Sequence, residues 1–169
     1  MFVILLLAAI VTQSGTLHFT APRGWNPRPS TSPMRVAEFV VPRAAGDPED
    51  AETIIYFFGG SGGGIDANIE RWVGQFQTES GGPVPAPKRT TSANGPLTIT
   101  AIDVSGTYVA QVRPGSAERF NKPNFRMWAA VVETPKGPYF VKLTGPVRTV
   151  TQALTNDDFD SFLKRLRFE

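Results

Sequence analysis

Six residues almost free of side chains, Gly59-Gly60-Ser61-Gly62-Gly63-Gly64, follow the apolar run Ile54-Ile55-Tyr56-Phe57-Phe58 and precede IDANIERW. A strand, a glycine loop and a helix start, in that order, serve both nucleophile elbows and phosphate-binding loops. Gly59-x-Ser61-x-Gly63 matches the elbow pattern. A serine nucleophile needs a base, and in α/β-hydrolases the histidine follows the serine in the chain. The single histidine, His18, precedes it. Lys88, Lys122, Lys136 and Lys142 lie downstream, but none stands at S-x-x-K spacing from Ser61. Gly59-x4-Gly64 has the P-loop spacing, yet Ile65 and Asp66 occupy the places of the cation and the hydroxyl that phosphate and magnesium require. G-x-G-x-x-G also fails, because Gly60-x-Gly62 leads to Ile65. The pattern therefore assigns no catalytic residue. It leaves a corner where glycine permits a tight turn. A weaker anion or ligand contact is expected at the backbone of Gly60, Ser61, Gly62, Gly63 and Gly64, just before a helix N-terminus. Asp66 opposes that contact by bringing a carboxylate to the same place.

Other constellations carry less. The chain has no cysteine, which excludes disulfides, thiolate metal sites and a cysteine nucleophile. Asp157, Asp158 and Asp160 stand at a helix start, where carboxylates are expected without any metal. Asp47, Glu49, Asp50 and Glu52 form an acidic loop, read as solvated rather than as a calcium site. No metal and no cofactor is assigned. Arg113, Arg119 and Lys122 make Arg113 to Asn124 the most basic stretch, suited to an acidic partner or to solvent. A net charge of +2 without a clustered basic run gives no expectation of nucleic-acid binding.

These residues need elements to hold them. At 169 residues, 41% hydrophobic and 19% charged, the chain suits one domain with a real core. The 16 glycines and 15 prolines imply many turns. Residues 1–14 read as a signal peptide. The apolar run Phe2 to Val11 is too short for a bilayer, which takes about 20 residues, and Thr12 and Ser14 are small enough to flank a cleavage point. The run lacks a preceding Lys or Arg. Export to the periplasm or the extracellular space is the expectation, with residues 15–169 as a single α+β domain and no transmembrane span in it.

Strands are expected at 17–20, 34–41, 53–58, 97–104, 107–112, 125–134 and 139–144. The pair 97–104 and 107–112 also reads as one strand bulged at Gly106. Thr53 to Phe58, apolar on both faces, is expected to be central. Ile65, Ile69, Trp72, Val73 and Phe76 fall on one face of an amphipathic helix. A second helix is expected from Thr155 onward, with Thr155 and Asp158 as a capping box and Phe159, Phe162, Leu163 and Leu166 as its apolar stripe. Asn26 to Pro33 reads as an extended loop, and Trp25 beside it as the partly exposed tryptophan. The expected class is α+β, a mostly antiparallel sheet flanked by two helices.

Three features together resemble a family. They are F-x-x-P-x-G-W (Phe19, Pro22, Gly24, Trp25), the late strand YFVKLTG, and a terminal F-x-x-F-L-x-x-L-R-F (Phe159, Phe162, Leu163, Leu166, Arg167, Phe168). Most of the chain after residue 14 is similar to the PsbP-like proteins, the extrinsic photosystem II subunit and its exported bacterial relatives. The resemblance implies an α-β-α sandwich, export, and service as a non-catalytic binding or assembly module for a protein or cell-envelope partner. The proline loops and the glycine corner are not part of that pattern, and no ligand residue carries over from it. A small-molecule or anion-binding protein using residues 59–64 is the alternative function. A hydrolase with an unfamiliar site is the third.

Overall fold

The computed structural model describes residues 15–169 apart from Ser61, and for Asp157 and Asp158 the backbone alone. The expected signal peptide, residues 1–14, and the candidate contact at Ser61 lie outside the described residues. The elements are β1 (Leu17–His18), β2 (Asn26–Arg28), β3 (Arg35–Val41), β4 (Ala51–Phe57), α1 (Ile65–Val73), β5 (Phe76–Gln77), β6 (Arg89–Asn94), β7 (Leu97–Tyr108), β8 (Lys122–Glu133), β9 (Tyr139–Pro146), α2 (Val147–Thr155), α3 (Asp157–Lys164) and β10 (Arg167–Phe168). The class is α+β, dominated by one antiparallel sheet ordered β2-β3-β4-β9-β8-β7-β5, with β6 also on β7. β1 and β10 form a separate pair.

Residue alternation sorts each central strand between two cores. Ile55, Val141, Leu143, Ala130 and Val132 meet Val150 and Ala153 of α2 and Phe159 and Phe162 of α3 in one cluster. Phe140, Met127, Ala129, Val131 and Ile102 meet Ile69 and Trp72 of α1 in the other. β4 is interior, between β3 and β9, as its two apolar faces predict.

The differences from the sequence reading have physical causes. Among the described residues there are three helices rather than two. VRTVTQALT, rich in β-branched residues, carries no expected element, yet it forms α2 and buries Thr149, Val150 and Ala153. Thr151 and Thr155 hydroxyls donate to the carbonyls of Val147 (2.6 Å) and Thr151 (3.0 Å), which reconciles them with a helix. Thr155 therefore ends α2 and does not cap the next helix. The last helix stops at Lys164, and Arg167–Phe168 pairs with Leu17–His18 instead. Leu97 to Tyr108 is one strand with a register shift after Gly106, the bulged form of the expected pair. Asn26–Arg28 is a strand where an extended loop is expected, and Arg89–Asn94 is one where no element is expected. Both lie at the sheet's edges, and polar, exposed edge strands carry no alternation to detect. Trp25 is buried at 9% exposure, against Phe39, Phe159 and Phe162 at ring-centroid distances of 6.0–6.3 Å. A loop residue thus plugs the core.

Candidate functional site

The glycine corner is tightly packed. Gly59, Gly60 and Gly63 adopt φ of 66°, 89° and 80°, the region that favours glycine. A Cβ on Gly62 would fall 2.3 Å from the Phe140 ring, and one on Gly137, in the β8–β9 turn, 2.5 Å from the Cα of Gly60. The Asn68 side-chain amide donates to the carbonyls of Gly62 and Gly64, both at 2.9 Å. Asp66 pairs with Arg89 of β6 at 2.8 Å. His18 sits on β1, paired with β10. The described glycines of the corner line none of the three cavities described next.

The largest of these cavities, about 740 Å³, opens on the α1 face of the sheet beyond the C-terminal end of α1. Its floor is built by register. In β4, Glu52, Ile54 and Tyr56 point to this face, and in β9 so do Phe140, Lys142 and Thr144. Glu52 stands opposite Thr144, Ile54 opposite Lys142, and Tyr56 opposite Phe140. On its other side Lys142 faces Ala129 of β8. The ammonium thus rises from an apolar row near the middle of the sheet. Arg71 and Gln75 enter from the end of α1, and Arg35 from β3. The outer wall is the segment after β7. Val109 N–H donates to the Gln75 carbonyl at 2.8 Å, and Phe120 N–H to the Ala110 carbonyl at 2.9 Å. These bonds hold Arg119 and Phe120 at the rim. Part of the basic stretch singled out in the sequence is therefore one wall of a pocket.

Charge in the cavity is unbalanced. Among its described lining residues are Arg35, Arg71, Arg119 and Lys142, against one carboxylate, Glu52. Glu52 is engaged by Arg28 at 2.6 Å, and Arg35 by Glu38 at 3.1 Å. The other three cations have neutral partners. Lys142 Nζ donates to Gln75 Oε1 at 3.1 Å, Arg119 to the Val109 carbonyl at 3.1 Å, and Arg71 to Asn68 Oδ1. Among the described residues none of these three forms an ion pair. Burial lowers the Lys142 pKa to about 8, with Arg71 and Arg35 adding to the effect and Glu52 opposing it. Burial raises Tyr108 to about 12 and also raises Tyr56, so both phenols stay protonated and can donate. Tyr108 stacks between Phe120 (5.7 Å) and Phe125 (5.9 Å).

A buried anchor sits beside this floor. The Glu38 side chain is fully buried. It accepts from Thr31 N–H (2.7 Å), Thr31 hydroxyl (2.8 Å), Arg28 Nε (3.0 Å) and Arg35 (3.1 Å). Burial alone would raise its pKa, but these hydrogen bonds and charges hold it at about 2. Glu38 thus holds Arg28, which also reaches Glu52, and the guanidinium of Arg35.

The acidic loop is used structurally. Asp47 accepts from the Thr149 N–H (2.9 Å) and hydroxyl (2.6 Å) in the first turn of α2, Asp50 from Arg43 N–H (2.9 Å), and Glu49 pairs with Lys122 (2.6 Å). Among the described residues no group of three or more His, Asp or Glu is placed to hold a metal ion. No described helix is long and apolar enough to cross a membrane.

The sequence reading missed the pocket, and its signal was faint. A lysine at the centre of the otherwise apolar strand YFVKLTG was the one local irregularity. Arg35, Glu52 and Arg71 become neighbours of it only through the register of β3, β4 and β9 and the placement of α1. No family model matches this chain, and no curated protein matches it.

Proposed function

We propose that the protein is an exported, non-catalytic binding module whose ligand is a small organic anion held in the cavity on the α1 face. The observation that carries this reading is the set of three cavity-lining cations, Lys142, Arg71 and Arg119, whose partners within the fold are neutral. A partly desolvated ammonium without a counter-ion is costly, and a bound anion relieves that cost. The volume of about 740 Å³ lies within the range of small-molecule sites. Arg guanidinium groups suit carboxylate or phosphate, and the Tyr56 and Tyr108 hydroxyls supply neutral donors. The helices packed on both faces of the sheet are compatible with the sandwich that the PsbP-like resemblance implies, and that resemblance favours binding over catalysis. Export rests on the apolar run Phe2 to Val11; a reporter fused to residues 1–20 that stays in the cytoplasm would refute it.

The test is calorimetry and thermal shift with succinate, citrate, benzoate and inorganic phosphate. At least one should bind and stabilise the protein, and the Lys142→Met, Arg71→Met double variant should lose the effect. No binding by any of the four at millimolar concentration overturns the assignment.

A second reading, a protein or envelope partner, draws on Met34 and Val36, which are 51% and 45% exposed at the start of β3. If it holds, changing both to Glu should release a defined co-purifying partner while leaving anion binding intact. Retention of that partner by the variant would count against it.

A further inference from the structure

The cavity contains a feature that anion binding does not require. A guanidinium would balance a carboxylate at any pH, yet the group placed on the apolar floor, between Ile54 and Ala129, is a primary amine. It is held by the neutral amide oxygen of Gln75 at 3.1 Å rather than by a carboxylate. It faces an open volume of about 740 Å³, with Arg71 and Arg119 at the rim. We infer that Lys142 captures its ligand covalently and reversibly, as a Schiff base with an aldehyde or ketone that also carries a carboxylate: an oxo acid. This rests on the anion-binding reading of the same cavity and adds the carbonyl to it.

The chemistry balances without any oxidant or cofactor. The free amine attacks the carbonyl carbon. A C–N bond forms as the C=O π pair moves to oxygen, and a nitrogen proton passes to that oxygen, giving a carbinolamine. Uptake of one proton and departure of the hydroxyl as water leaves a protonated imine. The net change is ammonium plus carbonyl to iminium plus water. Tyr56 and Tyr108 line the same space and stay protonated, so they suit hydrogen bonding to the carbonyl or carbinolamine oxygen. Glu52, beside Lys142 across the β4–β9 ladder, is engaged by Arg28 and leaves the amine uncoordinated by carboxylate. Burial, reinforced by Arg71 and Arg35, lowers the Lys142 pKa to about 8 from 10.5. Near neutral pH this gives roughly a hundredfold more free amine than an exposed lysine holds.

The experiment uses the protein from residue 15 onward, glyoxylate as the probe, and cyanoborohydride to trap the imine, with sites mapped by peptide mass spectrometry. The chain's other lysines, Lys88, Lys122, Lys136 and Lys164, serve as internal references, so no variant has to fold. Lys142 is expected to label at least about tenfold faster than each of them. Propanal, which lacks the carboxylate, should label it much more slowly, and excess succinate should protect it. Labelling of Lys142 no faster than the other lysines overturns the proposal, as does equal labelling by propanal. Succinate binding, measured separately, tells whether only the covalent step fails or the anion site with it. Lys142→Arg should abolish the adduct at this position.

Discussion

Glu38 and Arg28 face each other directly across the β2–β3 ladder, with Arg28 Nε 3.0 Å from a carboxylate whose side chain is wholly buried. The same guanidinium reaches Glu52 in the cavity wall at 2.6 Å. Because the folded-state pKa of Glu38, about 2, lies below its ordinary 4.5, its stabilisation is complete above pH 4.5 and is lost as pH falls toward 2. The contribution is up to about 3 kcal/mol. Urea unfolding at pH 7 and pH 3 should show that acid limb in the wild type. Glu38→Gln should flatten it and should cost about 3 kcal/mol at pH 7 by leaving Arg28 and Arg35 poorly paired.

Lys142 should produce two pH dependences of opposite sign. Its folded pKa of about 8 lies below the unfolded 10.5, so the unfolded chain binds the proton more tightly between those values. Stability of the free protein should therefore rise from pH 8 to 10.5, and that rise should vanish in Lys142→Met. Affinity for succinate should move the other way, weakening by up to about tenfold between pH 7 and pH 9 as the ammonium loses its proton. Calorimetry and denaturation on the same samples check both.

Arg71 lies at the cavity rim and donates to Oδ1 of Asn68, a buried side chain. Arg71→Met should lower the unfolding free energy by about 1 kcal/mol by leaving that acceptor without its donor. It should lower succinate affinity by roughly tenfold or more, as expected for removal of a charge-assisted hydrogen bond. A variant that binds succinate normally would place the anion elsewhere.

Two neighbouring glycines should respond differently to alanine. Gly62 sits against Phe140, where a Cβ would overlap the ring at 2.3 Å, so Gly62→Ala should cost about 1–3 kcal/mol. Gly64, at φ −72° with open space around it, accepts a methyl group freely. Gly64→Ala should be neutral or stabilise by up to about 1 kcal/mol. Equal effects at both positions would contradict the packing of this corner.

What could be read from the sequence was whatever a strand or helix writes locally. Ile65, Ile69 and Trp72 announced α1 at helical spacing, and Thr53 to Phe58 announced a central strand. α2 was hidden because Thr149, Thr151 and Thr155 favour strand locally, and the helix depends on burial of Val150 and Ala153 and on Asp47, about a hundred residues earlier in the chain. The cavity was hidden for a stronger reason. Arg35, Glu52, Arg71 and Lys142 share no spacing rule, and only cross-strand register brings them together. The motif that did stand out, the glycine run, has the local form of a site but packs its backbone against Phe140 and the β8–β9 turn.

The clasp of Leu17–His18 on Arg167–Phe168, extended by Thr16 N–H to the Glu169 carbonyl at 2.7 Å, has a consequence for orientation. Any tether, label or fusion joined before residue 15 leaves the domain at the same point as one joined after residue 169. Attachment at either end would therefore present the cavity at the same angle, and attachment at both would pull on this one short ladder before loading the sheet that carries Lys142.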